Sequence, residues 1–355
     1  MTFALSARTL RLSFRDPFRI ARSHGDGGAT TVLVELRSSV RLDLLGLGEG
    51  FPDAYYGETP ESVHLVAGQL VAVLQPLERR LLAGSLEDAR GALVEAADVM
   101  TQQLRWNGAA KCALDIALHD LVGKAHEIAV VDLLGLSRDV PATDFTLGLD
   151  APDVVAERAR RAGHFPALKI KVGGAADLPT LEAVRSVFGG PIRVDANTAW
   201  APELADRLLP ELVRLGVELI EQPFPARRID WLGDLQARSS LPIVADESAV
   251  FDEDLDALVG VVAGVNVKLA KCGGVGPAKR MLERARGLGF RTFLGCMEET
   301  SIGIAASAAV ASLADWVDLD GCLLIADDPA RGLELGDDCR WRLPERAGLG
   351  VEVAG

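Results

Sequence analysis

Residues 192–221 read IRVDANTAWAPELADRLLPELVRLGVELIE, and they predict a strand, a helix and a second strand. The two apolar runs of this stretch are closed by acidic residues, Asp195 and Glu221. Between them, Glu203–Leu215 has the spacing of apolar residues that is typical of an amphipathic helix. The stretch therefore predicts one unit of a parallel sheet whose strands carry charge at their carboxyl ends.

The same strand–loop–helix unit recurs from about residue 142 onwards. Apolar runs that predict strands occur at 145–149, 167–172, 192–195, 218–220, 243–245, 264–268, 291–295 and 316–319. Amphipathic segments lie between these runs. Eight strands that alternate with helices predict an α/β fold of the (β/α)₈ type, a modified TIM barrel.

The two ends of the chain differ from this barrel pattern. Alternating apolar residues between positions 10 and 36 predict antiparallel strands, and helical periodicity follows at 60–82, 87–100 and 104–122. We therefore expect an α+β capping domain over 1–125 and a barrel over 126–324. The segment 325–355 has no room for another barrel unit, and we expect it to return to the cap.

Composition limits the possible partners. The chain of 355 residues has a formal net charge of −14, and such an acidic protein offers no basic surface for nucleic acid or an anionic membrane. The apolar stretch 301–317 is too short and too rich in Ala and Ser to span a bilayer, so it predicts a buried helix. We expect a small-molecule substrate and a homo-oligomer.

Cysteine usage and the N-terminus indicate a compartment. Five scattered cysteines without CxxC spacing argue against a zinc site or a disulfide framework, and they favour a reducing cytoplasm. The first residues lack the basic-then-apolar layout of a signal peptide. The predicted location is therefore cytoplasmic.

Charged residues close consecutive predicted strands at a regular interval. Starting from Lys171, the next positions are Asp195, Glu221, Asp246 and Lys268, at intervals of 24, 26, 25 and 22 residues. An acid after one strand often caps the next helix, but capping does not explain three acids on three neighbouring strands between two lysines. Because a barrel has its active site at the carboxyl ends of its strands, this spacing predicts one site.

The residue types predict metal-assisted proton transfer. Three carboxylates that converge in a barrel mouth need a cation, and an all-oxygen set favours Mg²⁺. Lys171 and Lys268 would lie on opposite sides of the mouth, because strands two and six of eight face each other. A substrate carboxylate bound to the metal would have its α-carbon between the two lysine bases. Removal of the α-proton would give an enediolate that the metal stabilises. We expect the metal and burial to lower the pKa of both lysines.

Six motifs together resemble the muconate-lactonizing subgroup of the enolase superfamily over nearly the whole chain. They are Lys169-Ile-Lys171, Asp195-Ala-Asn197, Glu221-Gln-Pro223, Asp246-Glu-Ser248, Lys268-Leu-Ala-Lys-Cys-Gly-Gly274 and Gly295-Cys-Met-Glu-Glu-Thr300. The resemblance implies that Asp195, Glu221 and Asp246 bind Mg²⁺ and that Lys171 and Lys268 are the acid/base pair. It implies that Lys169 supports Lys171 or the substrate carboxylate.

Within that subgroup, Asp318-Leu-Asp320 resembles the Asp-x-Asp signature of dipeptide epimerases. The resemblance implies that both acids hold the α-ammonium of a dipeptide, for which paired carboxylates are suited. The implied reaction inverts the α-carbon of the C-terminal residue, with a slight preference for L-Ala-D/L-Glu. By position, Cys296 and Met297 would line the pocket.

Side-chain specificity is expected in the cap loops and the 297–299 segment. Arg22, beside Ser23 in a segment similar to this family's substrate-covering loops, could bind the distal carboxylate of Ala-Glu, or it could be a solvated surface residue. Asp53 and Glu298 could instead favour a cationic side chain, and Glu298 or Glu299 could pair with a barrel lysine. The sequence therefore also allows a dipeptide substrate with a cationic or hydrophobic side chain.

Two further alternatives remain. The same framework is compatible with cycloisomerisation, o-succinylbenzoate synthesis and N-acylamino-acid racemisation, whose substrates have no free ammonium for Asp318 and Asp320. A catalytically silent ligand-binding relative would be expected to lack one of the lysines or acids, and all are present.

Overall fold

The computed structural model describes residues 2–22, 28–174 and 176–353. Its first layer is an antiparallel sheet of β1 (Phe3–Ser13), β2 (Gly28–Ser38) and β3 (Leu45–Gly50), in that order. The first two strands agree with the predicted alternation. The third was missed, because its sequence LGLGEG is half glycine and glycine is depleted in strands.

Four helices follow the sheet: α1 (Pro60–Leu74), α2 (Glu78–Ala83), α3 (Leu86–Gln103) and α4 (Gly108–Ala125). The first and last of them pack on the sheet, and α2 and α3 pack on these two helices. The prediction of one helical segment over 60–82 was wrong, since a short 3₁₀ turn at Gln75–Leu77 separates α1 from α2. Pro76 lies in that turn, and proline cannot donate the backbone hydrogen bond that a continuous helix requires. Together the sheet and helices form the predicted α+β cap.

Glycines let β3 lie directly on α4. An added Cβ at Gly46, Gly48 or Gly50 would lie 2.2, 2.0 and 2.2 Å from backbone carbonyl oxygens of α4. Side chains at these positions would push the strand off the helix. The glycines therefore set the distance between the sheet and its central helix.

Gly48→Ala should lower the free energy of unfolding by about 1–3 kcal/mol, because the new methyl group overlaps a backbone oxygen that cannot move freely. Gly68→Ala is the matched control, since a methyl group there meets no atom within 4 Å. That control should instead gain about 0.4–1 kcal/mol from reduced freedom of the unfolded chain. Urea unfolding of both variants checks the difference, and equal midpoints would contradict the close packing.

The rest of the chain forms the predicted barrel. Its strands are β4 (Phe145–Leu147), β5 (Leu168–Lys171), β6 (Ile192–Asp195), β7 (Val217–Glu221), β8 (Ile243–Ala245), β9 (Gly264–Val267), β10 (Arg291–Gly295) and β11 (Trp316–Asp318). They pair in parallel in sequence order, and a bridge between Thr143 and Val317 joins the two ends of the sheet. The (β/α)₈-type barrel with a capping domain is thus confirmed.

The remaining described helices belong to this part of the chain. They are α5 (Val130–Leu133), α6 (Pro152–Arg161), α7 (Asp177–Arg185), α8 (Pro202–Arg214), α9 (Ile229–Arg238), α10 (Leu255–Leu258), α11 (Leu269–Cys272), α12 (Val275–Gly287), α13 (Ser301–Ala308) and α14 (Gly321–Leu324). The buried helix predicted over 301–317 is shorter than expected, because α13 ends at Ala308 and β11 begins at Trp316. Among the described residues, none of the helices combines the length and apolar character of a membrane span.

The C-terminal segment adds four two-residue strands: β12 (Ala330–Arg331), β13 (Glu334–Leu335), β14 (Trp341–Arg342) and β15 (Glu352–Val353). It contacts the cap helix α4, where the Leu349 amide donates to Asp120 Oδ1 at 2.8 Å. The Gly348 amide donates to the Ile128 carbonyl at 2.9 Å, just beyond that helix. The domain boundaries at 125 and 324 stay predictions.

Candidate active site

The predicted charged residues meet at one end of the barrel. Lys171, Asp195 and Glu221 are the last residues of β5, β6 and β7, and the strand register places Asp195 beside each of the other two. Asp246 and Lys268 each follow directly after a strand, β8 and β9. Because the strands are parallel, their carboxyl ends form one mouth, and all five side chains lie there.

The three acids form a cluster that suits a hard divalent cation. Carboxylate oxygens of Asp195, Glu221 and Asp246 lie within 4.8 Å of one another, and all three residues are buried. Buried carboxylates at this spacing repel one another unless a positive charge lies among them. An all-carboxylate oxygen set fits Mg²⁺, which takes few protein ligands and keeps positions for water and substrate.

Two lysines extend from opposite sides of the mouth toward this cluster. The Lys171 ammonium lies 2.7 Å from Asp195 Oδ2, and the Lys268 ammonium lies 2.8 Å from Asp246 Oδ2. Their strands, β5 and β9, are four positions apart in the eight-stranded sheet. The ammonium groups therefore approach the cluster from opposite directions.

Electrostatics in the cluster follow from burial and charge together. Burial raises the pKa of Glu221 to about 7, and the negative charge of Asp195 adds to this rise. Burial disfavours the charged form of Lys268, but the charge of Asp246 outweighs it and raises the pKa above its ordinary value. From the sequence we expected burial and a bound divalent cation to lower the pKa of both lysines. Because that expectation includes the cation, it stays a prediction.

Sequence reasoning missed two residues of the cluster. Lys271 is buried on α11, and its ammonium contacts Asp246 Oδ1 at 2.5 Å. Asn266 donates its side-chain amide to Glu221 Oε1 at 2.7 Å. The sequence carried a signal for each of these two residues. Asn266 is two residues before Lys268 on an apolar strand and therefore lies on the same face of that strand. Lys271 is a second lysine one helical turn later.

Lys169 is buried in the barrel and lines the same cavity as Lys171. Its ammonium is ion-paired with Asp318, and it lies 3.3 Å from Glu221 Oε2 and 3.7 Å from Asp195 Oδ2. Burial opposes its charge, but Asp318 and then Glu221 raise the pKa of Lys169 well above its ordinary value. Lys169 thus bridges the acid cluster and Asp318.

Asp318 is the last residue of β11, and Asp320 comes two residues later. Thr146 of β4 contacts both, because its hydroxyl donates to Asp318 Oδ1 at 2.9 Å and its amide donates to Asp320 Oδ2 at 2.6 Å. Burial disfavours the charge of Asp318, but Lys169 outweighs this and holds the pKa of Asp318 below its usual range. Burial, followed by the charge of Asp318, raises the pKa of Asp320 to about 8.

The loop after β10 completes the cavity around these groups. Cys296, Met297 and Glu298 line a small cavity together with both lysines of β5 and both acids of the Asp318-Leu-Asp320 motif. Burial raises the pKa of the Cys296 thiol well above its ordinary value, and the charge of Asp318 adds to this. A thiol that stays protonated is suited to lining a pocket and not to nucleophilic attack.

Neither Glu298 nor Glu299 has an ion pair with a barrel lysine in the part of the chain that the structure describes. Burial raises the pKa of Glu298, and the charge of Lys171 opposes this rise. Glu298 therefore faces the cavity near the lysines without a direct salt bridge. Glu299 lies deeper, beside Glu49 of β3.

Two predicted specificity residues of the cap are already engaged. Arg22 is ion-paired with Glu247, donates to the Asn197 carbonyl at 3.0 Å, and lies 4.2 Å from the ring centroid of Tyr55. Asp53 caps the short 3₁₀ turn Ala54–Tyr56, because its carboxylate accepts a hydrogen bond from the Tyr55 amide at 2.8 Å. Arg22 is therefore held by Glu247 and is not a free cation at the cavity. Ser23 lies outside the described residues.

Two family models match the chain. Residues 5–135 match "Mandelate racemase / muconate lactonizing enzyme, N-terminal domain", and residues 153–355 match "Enolase C-terminal domain-like". These ranges cover the cap and nearly all of the barrel.

Several characterised proteins are similar over most of their length. The L-Ala-D/L-Glu epimerase of Bacteroides thetaiotaomicron is 38% identical over 311 residues, which are 86% of this chain and 77% of that protein. The L-Lys-D/L-Arg epimerase of Methylococcus capsulatus is 36% identical over 98% of both chains. A crystal structure of the dipeptide epimerase of Enterococcus faecalis, complexed with Mg and L-Leu-L-Tyr, has a TM-score of 0.88 at 30% identity and covers 99% of both chains.

Proposed function

Because this chain belongs to the mandelate racemase / muconate lactonizing enzyme family of the enolase superfamily, we propose that it is a Mg²⁺-dependent dipeptide epimerase. The reaction inverts the α-carbon of the C-terminal residue of a dipeptide. One observation carries the proposal: two buried lysines on opposite strands extend toward a cluster of three buried acids.

The positions of the charged groups orient the substrate. Its carboxylate points toward Asp195, Glu221 and Asp246, and its α-carbon lies between Lys171 and Lys268. When neutral, one lysine removes the α-proton from one face, and the opposite lysine, when charged, returns a proton to the other face. Mg²⁺ at the cluster would supply the positive charge that stabilises the substrate carboxylate as negative charge develops on it.

The neighbouring residues keep this geometry fixed. The Lys271 ammonium donates to the carboxylate of Asp246 and to the backbone carbonyls of Ala249 and Asn266. Asn266 holds Glu221. Because these contacts are buried, the acids cannot turn away from one another, and a preorganised cluster loses little energy to rearrangement during the reaction.

The Asp318-Leu-Asp320 motif favours a dipeptide over an N-acylated amino acid. A substrate ammonium can pair with carboxylates at this motif and would favour the charged form of Asp320, whose pKa burial raises, whereas an N-acyl amide carries no positive charge to do so. The motif therefore supports a free amino terminus and weighs against the racemase, synthase and cycloisomerase alternatives.

The side chain of the second residue is the finer part of the proposal. Ala-Glu, the preference from sequence, needs a cation at the cavity, and Arg22 could supply one only by leaving Glu247. Glu298, which lacks a direct salt bridge, would suit a cationic side chain. Relative rates with Ala-Glu, Ala-Lys and Ala-Phe distinguish these choices.

Incubation with a dipeptide library in D₂O and Mg²⁺, read by mass, tests the function. Epimerisation should add one deuteron at a single α-carbon, because the returned proton comes from a lysine that exchanges with solvent. EDTA should abolish the uptake. The absence of deuterium uptake with every dipeptide would refute the epimerase proposal and leave the fold unaffected.

A further inference from the structure

Another cavity lies at the junction of the cap and the barrel. It measures about 460 Å³ and is bordered by residues 55–58 of the cap, the turn before α4, the loop after β8 and the helix α11. None of the three acids of the cluster and neither of the lysines Lys171 and Lys268 lines it. Small-molecule sites in proteins measure about 300–1,000 Å³, so this cavity is large enough for a ligand of its own.

Four aromatic side chains line the cavity. Tyr55 and Tyr56 form one pair, with ring centroids 5.1 Å apart, and Trp106 and Phe251 form a second pair at 5.2 Å. Tyr55 is 40% exposed and Trp106 is 59% exposed. Exposed aromatic rings that cluster around one cavity indicate a binding surface.

The rings of this cavity attract positive charge. Arg22 Cζ lies 4.2 Å from the ring centroid of Tyr55, and Arg105 Cζ lies 5.6 Å from that of Trp106. A cation is drawn to the negative face of an aromatic ring, and most strongly to that of tryptophan. An arginine covers one face of a ring, and both rings still border the cavity.

Glu58 adds a carboxylate to the cavity wall. The residue is only 6% exposed, and its Oε1 accepts the Ala109 amide at 3.2 Å in the first turn of α4. Among the described residues no cation forms a salt bridge with Glu58, since the nearby Lys111 ammonium donates to the Arg105 carbonyl at 3.1 Å instead. A buried carboxylate without a paired cation is costly, so Glu58 favours a positive ligand.

The electrostatics of Glu58 agree with this preference. Burial raises the pKa of Glu58 to about 7, and the charge of Asp53 adds to the rise, whereas the Ala109 amide and the charge of Lys111 oppose it. A cation in the cavity would also oppose the rise, because an opposite charge nearby favours the ionised carboxylate. The carboxylate and the rings therefore favour the same class of ligand.

We propose that this cavity is an accessory site for a small alkylated ammonium ion, with its charge beside Glu58 and its alkyl groups against the four rings. The site is separate from the dipeptide site and does not depend on the epimerase function. An ammonium with three N–H groups needs several acceptors, but an alkylated one needs few, and aromatic rings suit its alkyl groups. An uncharged ligand would leave Glu58 without a cation.

Calorimetry with choline and with 3,3-dimethyl-1-butanol tests the site. The alcohol has the shape of choline without its charge, so choline should bind at least about ten times more tightly. Saturating Mg²⁺ is present in both titrations, because it keeps choline away from the acid cluster. Equal affinities for the two compounds would show a merely apolar cavity and overturn the proposal, as would the absence of choline binding.

Four variants locate the bound choline. Glu58→Gln keeps an oxygen for the Ala109 amide but loses the charge, and it should weaken choline binding at least about tenfold. Trp106→Ala should weaken it about three- to fivefold. Glu211→Gln on α8 and Asp320→Asn in the barrel should leave choline affinity within about twofold of wild type.

The pattern among these variants decides the outcome. A loss of choline affinity in Asp320→Asn without a loss in Glu58→Gln would place choline in the barrel and overturn the proposal. If Glu58→Gln fails to fold, Trp106→Ala decides, because the exposed Trp106 side chain can be removed without opening the core. Unchanged choline affinity in Trp106→Ala would then refute the site.

Discussion

Lys171→Ala should stop epimerisation, with a fall on the order of 10³-fold or more, while one of the two epimers still exchanges its α-proton in D₂O. The reason is geometric, since in the proposed mechanism each lysine reaches only one face of the α-carbon. The remaining Lys268 can remove and return a proton on its own face, which exchanges deuterium without inversion. Lys268→Ala should show exchange from the other epimer only.

Mass spectrometry of the separated epimers measures this complementarity. Lys279→Ala serves as a control, because Lys279 pairs with Glu283 on the outer helix α12 and its removal should leave both rates unchanged. Exchange of both epimers in either lysine variant would show that a single base serves both faces. The two-base mechanism would then be wrong.

Glu221→Gln should reduce kcat/KM on the order of a thousandfold, because the acid cluster loses the charge that binds a divalent cation. The same variant should lose the stabilisation that Mg²⁺ gives to the folded protein. For wild type, free Mg²⁺ at 100 times its Kd should add about 2.7 kcal/mol to the free energy of unfolding. Denaturant unfolding with and without Mg²⁺ measures this difference.

Glu211→Gln is the matched control for this charge change. Glu211 is partly exposed on α8 and pairs with Arg214, so its substitution should leave both rate and Mg²⁺ stabilisation intact. Equal Mg²⁺ stabilisation in wild type and Glu221→Gln would contradict the assignment of Glu221 to the metal.

The barrel could be predicted almost strand by strand because its signals are local. Each strand is a short apolar run, each helix has its own periodicity, and the charged residue at each strand end is visible in a window of a few residues. The cap was predicted less completely. Its glycine-rich third strand has almost no side chains to carry an alternating pattern, and its position depends on contact with α4.

Residue spacing alone predicts the barrel, the acid cluster and the two lysines, because one charged residue per strand–helix unit brings them to one mouth. The partner of each charged side chain is visible only in three dimensions. Arg22 meets Glu247 across 225 positions of the chain, and Lys169 is shared among Asp195, Glu221 and Asp318. Ion pairs between distant strands depend on where side chains end in space, and periodicity along the chain carries no information about that.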